Sequence, residues 1–154
     1  MNIVRLYNQM KSFPLGKRLF SCLTAMKAPY FFSISPLIDE LSETKCEILL
    51  RKRRKVLNHI GTVHAIAMCN ACELAFGLTM EAGLPKQLRW IPKGMTVRYL
   101  KKAETDLRVV CDNPQVLSFP PGDHETFVQV FDRDQQIVMD AKILVYVSER
   151  TKGK

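Results

Sequence analysis

The acidic residue Glu73 lies within a long apolar stretch, and it is the sharpest chemical signal in this 154-residue sequence. Almost every residue from Val63 to Met80 is apolar, and Gly83 and Pro85 follow. This pattern predicts a helix that is buried on all sides. A buried carboxylate is costly unless it is paired, hydrogen-bonded or protonated, and such groups are typical of general bases. In the alternative structural interpretation, Glu73 reaches water at the rim of the helix or pairs with a cation.

A second candidate group directly precedes this helix, over residues 58–64. Gly61 and Thr62 predict a turn followed by an N-cap. Backbone N–H groups at the start of a helix are unpaired and lie at the positive end of its dipole, so they could hold an oxyanion. The amides concerned are those of Val63, His64 and Ala65. Asn58 could position a carbonyl group or a water molecule, whereas the alternative is a capped turn with His64 as an interface histidine.

Helix geometry limits which of these side chains can act together. Asn70, Glu73 and Gly77 are spaced by three and four residues, so they share one face. His64 and Glu73 are nine residues apart, and at about 100° per residue they lie half a turn from each other. One helix therefore cannot easily bring both to one substrate atom. A two-fold dimer would join the turn of one subunit to Glu73 of the other and make two equivalent sites.

The cysteines carry weaker signals. One possible metal site consists of Cys69 and Cys72 with His59 and His64 nearby. The pattern is weak, because a helical C-x-x-C has no second pair of ligands here. Apolar surroundings raise the pKa of a thiol, which also disfavours a cysteine nucleophile. We therefore expect no metal and no cofactor, and we interpret these cysteines as small residues of a packed helix.

The net charge of +8 is concentrated in two patches. Residues 1–27 contain five cationic side chains and no acidic one, and Arg51 to Lys55 is an unbroken run of five cations. Such patches could bind the phosphates of a nucleic acid or of a nucleotide-bearing cofactor, or an anionic membrane surface. The run from Arg51 to Lys55 lacks the interleaved aromatic residues that are typical of nucleic-acid sites.

Length and composition predict one globular domain with a sizeable core, because 47% of the residues are hydrophobic. The five cysteines are odd in number, and the first residues lack the apolar segment of a signal peptide. We therefore expect reduced thiols and a cytoplasmic protein.

A membrane span by the long apolar helix is disfavoured because polar side chains interrupt it. These are His64, Asn70, Glu73 and Thr79.

The elements that must position these residues follow from hydrophobic periodicity. Two short amphipathic helices are predicted over residues 2–10 and 15–26, and their basic faces could rest on a membrane or cover one end of the core. Residues 30–41 predict an extended segment or edge strand, and residues 45–54 predict a strand. After the long helix, period-two runs predict four antiparallel strands. They cover residues 95–100, 107–111, 125–131 and 136–147. An α+β domain results, with a curved antiparallel sheet wrapped around one long helix.

The motif Asn58-x-x-Gly61-x-x-His64, followed nine residues on by Glu73, resembles the N-x-x-G-x-x-H-G-G-x(6)-[D/E] signature of PaaI-like hotdog-fold thioesterases. Residues 97–103, Val-Arg-Tyr-Leu-Lys-Lys-Ala, resemble the strand that this family writes as V-x-Y-L-R-P-A. The similarity covers roughly residues 34–147. It implies a hotdog fold, with sites at the interface of a homodimer or of a dimer of dimers.

The resemblance also implies residue roles. Glu73 would be the general base or nucleophile that attacks an acyl-CoA or acyl carrier protein thioester, with Asn58 and His64 as catalytic partners. Gly61, Ala65 and Asn70 would hold the oxyanion or position the substrate. The phosphates of CoA or of phosphopantetheine would meet the basic run. Its proposed contacts are Arg51, Arg53, Arg54 and Lys55.

Two departures from the family pattern bear on activity. Ala65-Ile66 stands where the family has Gly-Gly, and glycine there lets the backbone approach a ligand closely. Ile66 could narrow the site or remove activity. Lys102 replaces a common proline, which an edge strand tolerates.

The leading hypothesis is therefore an acyl thioester hydrolase. The alternatives are a non-catalytic acyl-CoA or fatty-acyl binding protein and, third, a nucleic-acid-binding module. We expect neither a nucleic-acid partner nor stable membrane insertion. We expect a helical extension over residues 1–29, the hotdog domain over 30–149 and a disordered tail over 150–154.

Overall fold

The computed structural model describes residues 2–150, and its helices and strands follow the predicted order. The helices are α1 (Ile3–Lys11), α2 (Gly16–Lys27) and α3 (Ala65–Gly83). The strands are β1 (Leu37–Leu41), β2 (Lys45–Leu50), β3 (Leu88–Tyr99), β4 (Leu107–Asp112), β5 (Gly122–Phe131) and β6 (Ile137–Glu149). Short 3₁₀ segments cover Pro29–Ser33, Arg54–Val56 and Pro114–Ser118. Residues 151–154 of the predicted tail lie outside the described residues.

The six strands form one antiparallel sheet in the order β1-β2-β4-β5-β6-β3. This confirms the predicted α+β class, with one sheet and one central helix. α3 packs against the sheet, mainly on β2, β4 and β5. β1 and β3 are the two edge strands, so each leaves one row of backbone groups without a strand neighbour within residues 2–150.

Period-two alternation determines which face of the sheet meets α3. In β2, Cys46, Ile48 and Leu50 are fully buried while the residues between them are half-buried. α3 contributes Phe76 and Met80, which are also fully buried. Each such side chain stabilises the fold by about 1.5–3 kcal/mol relative to exposure. The long helix is therefore held firmly against the sheet, as its apolar sequence predicts.

Three predicted boundaries are wrong. β2 ends at Leu50, so the run from Arg51 to Lys55 leaves the sheet instead of continuing the strand. β2 lies between β1 and β4, and consecutive cations could not all avoid its buried face. Residues 29–33 form a 3₁₀ segment, and only Leu37–Leu41 of the predicted extended segment is a strand. β3 begins at Leu88, ahead of the predicted start at residue 95, and a register shift after Pro92 interrupts its pairing with β6.

The N-terminal helices are anchored to the domain. The Tyr7 and Phe20 rings pack edge to face with centroids 5.1 Å apart, and both side chains are buried. Burial raises the pKa of Tyr7 to about 12, so its hydroxyl stays protonated and donates to the Asp39 carbonyl. Ser21 accepts a hydrogen bond from the Ile38 amide at 2.9 Å, which ties α2 to β1. Among the described residues no helix is long and apolar enough to cross a membrane.

The end of α3 makes a close backbone contact that yields a stability prediction. A Cβ atom on Gly83 would lie 2.2 Å from the Glu43 carbonyl oxygen and 2.4 Å from Val116 Cγ1. Helix propensity alone predicts that Gly83→Ala stabilises the protein by up to about 1 kcal/mol. We expect the opposite, a loss of about 1–3 kcal/mol, because backbone must move to admit the methyl group. Chemical denaturation measures the sign, and a stabilised variant would contradict this packing.

Candidate functional site

The turn before α3 is built around the side chain of Asn58. Its Oδ1 accepts hydrogen bonds from the Ile60 and Thr62 amides, each at 3.1 Å, and its Nδ2 donates to Thr62 Oγ1 at 2.8 Å. Gly61 adopts a φ of +78°, a left-handed conformation that favours glycine. Both ends of the Asn58 amide are therefore engaged within the turn, which explains why the sequence spacing Asn58-x-x-Gly61 produces it.

His64, and not Thr62, is the N-cap of α3. Its Nδ1 accepts a hydrogen bond from the Ile66 amide at 3.0 Å. A neutral imidazole whose Nδ1 accepts carries its proton on Nε2, and the side chain is exposed. His64 therefore defines where the helix starts and holds its first turn.

Only part of the predicted oxyanion site is open. The Val63 amide donates to the Ala103 carbonyl at 2.9 Å, and the His64 amide donates to the Val56 carbonyl at 2.8 Å. Both amides are already hydrogen-bonded within the fold and cannot hold an oxyanion. The prediction is therefore wrong for Val63 and His64. Within residues 2–150 the Ala65 amide, at the first position of the helix, donates no hydrogen bond. It remains a free N–H at the positive end of a 19-residue helix.

Glu73 lies on an exposed strip of α3, so the prediction that this helix is buried on all sides is wrong for the single chain. The strip consists of Ile66, Cys69, Glu73 and Gly77, at helical spacing. Ile66 is 57% exposed, Glu73 is exposed, and the other two are half-buried. Glu73 makes no ion pair with the residues described here, in agreement with the alternative of a carboxylate at the helix rim.

The edge strand β3 borders this α3 strip. The Cys69 Sγ is 3.7 Å from the Tyr99 Oη, and this contact is the main cause that raises the pKa of Tyr99. Farther along, Trp90 packs edge to face on Phe76 with centroids 5.1 Å apart. An exposed carboxylate thus lies on α3 beside a sheet edge that has no strand neighbour in residues 2–150.

Asn70 does not share the exposure of Glu73, although the two are three residues apart. It is 6% exposed and its Nδ2 donates to Ser33 Oγ at 3.1 Å. Its Oδ1 is buried without a hydrogen-bond partner in the described part of the chain. Asn70 lines a groove of about 180 Å³ at the start of α3, together with Lys55 and His64. An acceptor oxygen, a cation and the capping histidine therefore meet at this groove.

The basic run is divided between two grooves. Lys55 lines the groove next to Asn70, whereas Arg51 and Arg53 line a separate groove of about 430 Å³ with Arg18 of α2. Arg53 also donates to two backbone carbonyls of residues 34 and 35, at 2.9 and 3.1 Å. Arg54 lines neither groove. All of these side chains are exposed.

The cysteines are all free thiols. Cys72 is fully buried, and desolvation raises its pKa well above the ordinary value, which agrees with the argument against a nucleophile there. Burial likewise raises the pKa of Cys111 to about 11. No group of three or more metal-ligating side chains forms in residues 2–150.

A family model described as Domain of unknown function (DUF4442) matches residues 16–147. The chain belongs to this family. The DUF4442 match runs from the first residue of α2 into β6, so it includes the turn, α3 and the whole sheet. A search of curated proteins finds no significant match.

Solved structures resemble this DUF4442 member closely. The genomics target APC5556 is 42% identical with a TM-score of 0.85, and the match covers 96% of this chain and 99% of that chain. PA5026 from Pseudomonas aeruginosa, named a protein of unknown function and probable thioesterase, is 18% identical with a TM-score of 0.76, over 90% of this chain and 97% of that one. A thioesterase family protein from Silicibacter pomeroyi is 12% identical with a TM-score of 0.70, and the match covers 89% of this chain and 100% of that chain. The predicted hotdog fold is confirmed.

The fold of this DUF4442 member brings some of the predicted site residues together and separates others. Asn58, Gly61, His64 and Ala65 form one continuous turn and helix start, and Asn70 shares a groove with His64. Glu73 projects from the α3 strip instead. The sequence did not indicate two further residues of these grooves, Ser33 and Arg18. Ser33 lies in a segment that was predicted to be extended. Arg18 was considered only as one of the charges of the N-terminal patch.

Proposed function

We propose that this protein hydrolyses acyl thioesters of CoA or of acyl carrier protein. Two groups on α3 carry the proposal: the Ala65 amide, which donates no hydrogen bond within residues 2–150, and the exposed Glu73, which forms no ion pair there. The two groups supply the donor and the base that acyl transfer to water requires. The fold shared with thioesterase family proteins supports this assignment.

In the proposed reaction, the Glu73 carboxylate accepts a proton from water while the water oxygen attacks the thioester carbonyl carbon. The Ala65 amide donates to the oxygen that becomes negative in the tetrahedral intermediate. The C–S bond then breaks, the thiolate takes the proton, and a carboxylic acid and a free thiol are the products. Direct attack by the Glu73 carboxylate is the second route, with water releasing the acyl group. Asn58, Gly61 and His64 act as positioning residues, because their contacts define the turn.

The complete site requires two subunits in this proposal. His64 and Glu73 lie nine residues apart and on opposite sides of α3. The α3 strip and the open edge of β3 lie side by side, and together they form a surface suited to an isologous contact. A homodimer through this surface would cover Glu73 and set it against the partner's turn. A dimer of dimers is compatible with the same contact.

The nucleotide end of the substrate is assigned to the basic run. Among the described residues Arg51, Arg53, Arg54 and Lys55 form no ion pair with an acid, so no acid neutralises their charges. Arg53 Nη2 is already engaged by two backbone carbonyls, which leaves its other N–H groups for a phosphate. Lys55 lies nearest the start of α3, since it lines the groove of about 180 Å³ there with His64 and Asn70. The five free thiols support the proposed cytoplasmic location.

A non-catalytic role in binding acyl-CoA is the second candidate, and Ile66 is the observation that favours it. This branched side chain lines the groove at the start of α3 and is 57% exposed, where the family motif has glycine. An acyl thioester held beside Ile66 could be excluded from the Ala65 amide. Binding without turnover would then result.

Release of free thiol from a panel of acyl-CoAs of increasing chain length distinguishes these candidates. The hydrolase proposal predicts that at least one acyl-CoA of the panel is converted to equal amounts of free thiol and carboxylic acid. Tight binding by calorimetry with no product, on acyl-CoA and on acyl carrier protein thioesters alike, would replace it with the binding role.

A further inference from the structure

We infer that the outer face of α2 docks on an anionic lipid surface. This face carries Leu19, Leu23 and Met26, which we call the α2 stripe. The three side chains are between 43% and 61% exposed. At about 100° per residue the three side chains fall within roughly 60° of one another.

The exposure of the α2 stripe does not reflect loose attachment of the helix. The opposite face of α2 is buried through Phe20 and Ala25, which are 2% and 1% exposed. Lys17 forms an ion pair with Asp39 at 2.6 Å on the side facing the domain. α2 is therefore apolar on two faces, and only one of them has a partner in the described residues.

The charges around the α2 stripe specify the partner. Arg18 and Lys27 lie on either side of it on the helical wheel, and residues 1–27 hold five cations and no acid. Arg18 also lines the 430 Å³ groove with Arg51 and Arg53, and none of the residues lining this groove is acidic. An apolar stripe between flanking cations is the pattern of a helix that lies in a membrane interface, with long basic side chains reaching the headgroups.

A second copy of the chain fits this surface poorly. An isologous contact through the α2 stripe would bring the flanking Arg18 and Lys27 against the same residues of the other copy. Like charges across an interface oppose association. An anionic lipid surface instead supplies negative charges opposite Arg18 and Lys27. The inference does not depend on the thioesterase proposal, because the α2 stripe, Arg18 and Lys27 have no role in the proposed reaction. Arg51 and Arg53 are common to both, as part of the basic surface here and as phosphate contacts there.

Vesicle flotation with the purified full chain tests the inference. The probes are vesicles of phosphatidylcholine alone and of phosphatidylcholine mixed with phosphatidylglycerol. We expect binding to the anionic vesicles that falls at high ionic strength. Leu19→Ser with Leu23→Ser should weaken it at least about tenfold, and Arg18→Gln with Lys27→Gln should weaken it by about tenfold or more. Phe127→Ser, which changes an exposed apolar residue on β5, is the matched control and should leave binding unchanged.

The outcomes separate the possible partners. Equal binding to neutral and anionic vesicles, or no binding to either, would overturn the inference. A stripe variant that dissociates a wild-type oligomer, with no vesicle binding by the wild type, would assign the stripe to a contact between copies and also overturn it. All of the substituted side chains are exposed, and thermal melting of each variant checks that the fold is retained.

Discussion

Glu73→Gln is expected to lower kcat for acyl thioester hydrolysis by about 10²–10⁴-fold, the range measured when a general base is removed. The substitution keeps the shape of the side chain and removes its negative charge and its ability to accept a proton. Glu73 is exposed and forms no ion pair in residues 2–150, so we expect the free energy of unfolding to change by no more than about 0.5 kcal/mol. Steady-state thiol release and chemical denaturation of the same sample measure the two quantities.

Glu81→Gln is the matched control, because Glu81 is another exposed glutamate of α3. It should retain wild-type kcat. If Glu73→Gln keeps its turnover, the carboxylate is not the base and the reaction mechanism proposed above is wrong. If both variants lose activity equally, the loss results from removing a negative charge from α3 and is not specific to position 73.

Ala65→Pro is expected to lower kcat by about 10²–10³-fold, the cost of one oxyanion donor. Ala65 is the first residue of α3, where proline is well accommodated because its missing N–H has no helical partner. The preceding His64 has φ −64° and ψ 137°, the extended conformation that a following proline requires. The substitution therefore deletes a single N–H group and leaves the helix intact.

Ala65→Ser keeps the backbone amide and serves as the control, with kcat close to wild type expected. Stability should not fall in the proline variant, and circular dichroism melting checks this. Full activity in Ala65→Pro would exclude the Ala65 amide as the oxyanion donor, and the free N–H at the helix start would then be only a consequence of capping by His64.

The fold was largely predictable because hydrophobic periodicity reports local geometry. The all-apolar run around Phe76 predicted the central helix, and alternation in β2 and β4 predicted their buried faces. β3 was predicted too short, because the period-two pattern is regular only from residue 95. The edge strand extends back through Pro92 and Gly94, where its register is irregular. The charges after Leu50 were assigned to a strand because alternation does not show where a strand ends.

The site was less predictable because exposure depends on how far the sheet reaches around α3. Asn70 and Glu73 differ by about 60° on the helix, and the boundary between covered and open surface falls between them. The sequence places them on one face, yet the structure buries Asn70 against Ser33 and exposes Glu73. Which amides remain free was also unpredictable, since the bonds from Val63 to Ala103 and from His64 to Val56 join distant segments or cross the turn.

The most direct test of the two-subunit thioesterase site is complementation between two inactive variants. Glu73→Gln and Ala65→Pro proteins are mixed, unfolded and refolded together, and thiol release from an acyl-CoA is compared with each parent treated alone. A site that joins Ala65 of one subunit to Glu73 of the other leaves one intact site in every mixed dimer. Random pairing should then restore about one quarter of the wild-type rate. A mixture no more active than its parents would contradict the shared site.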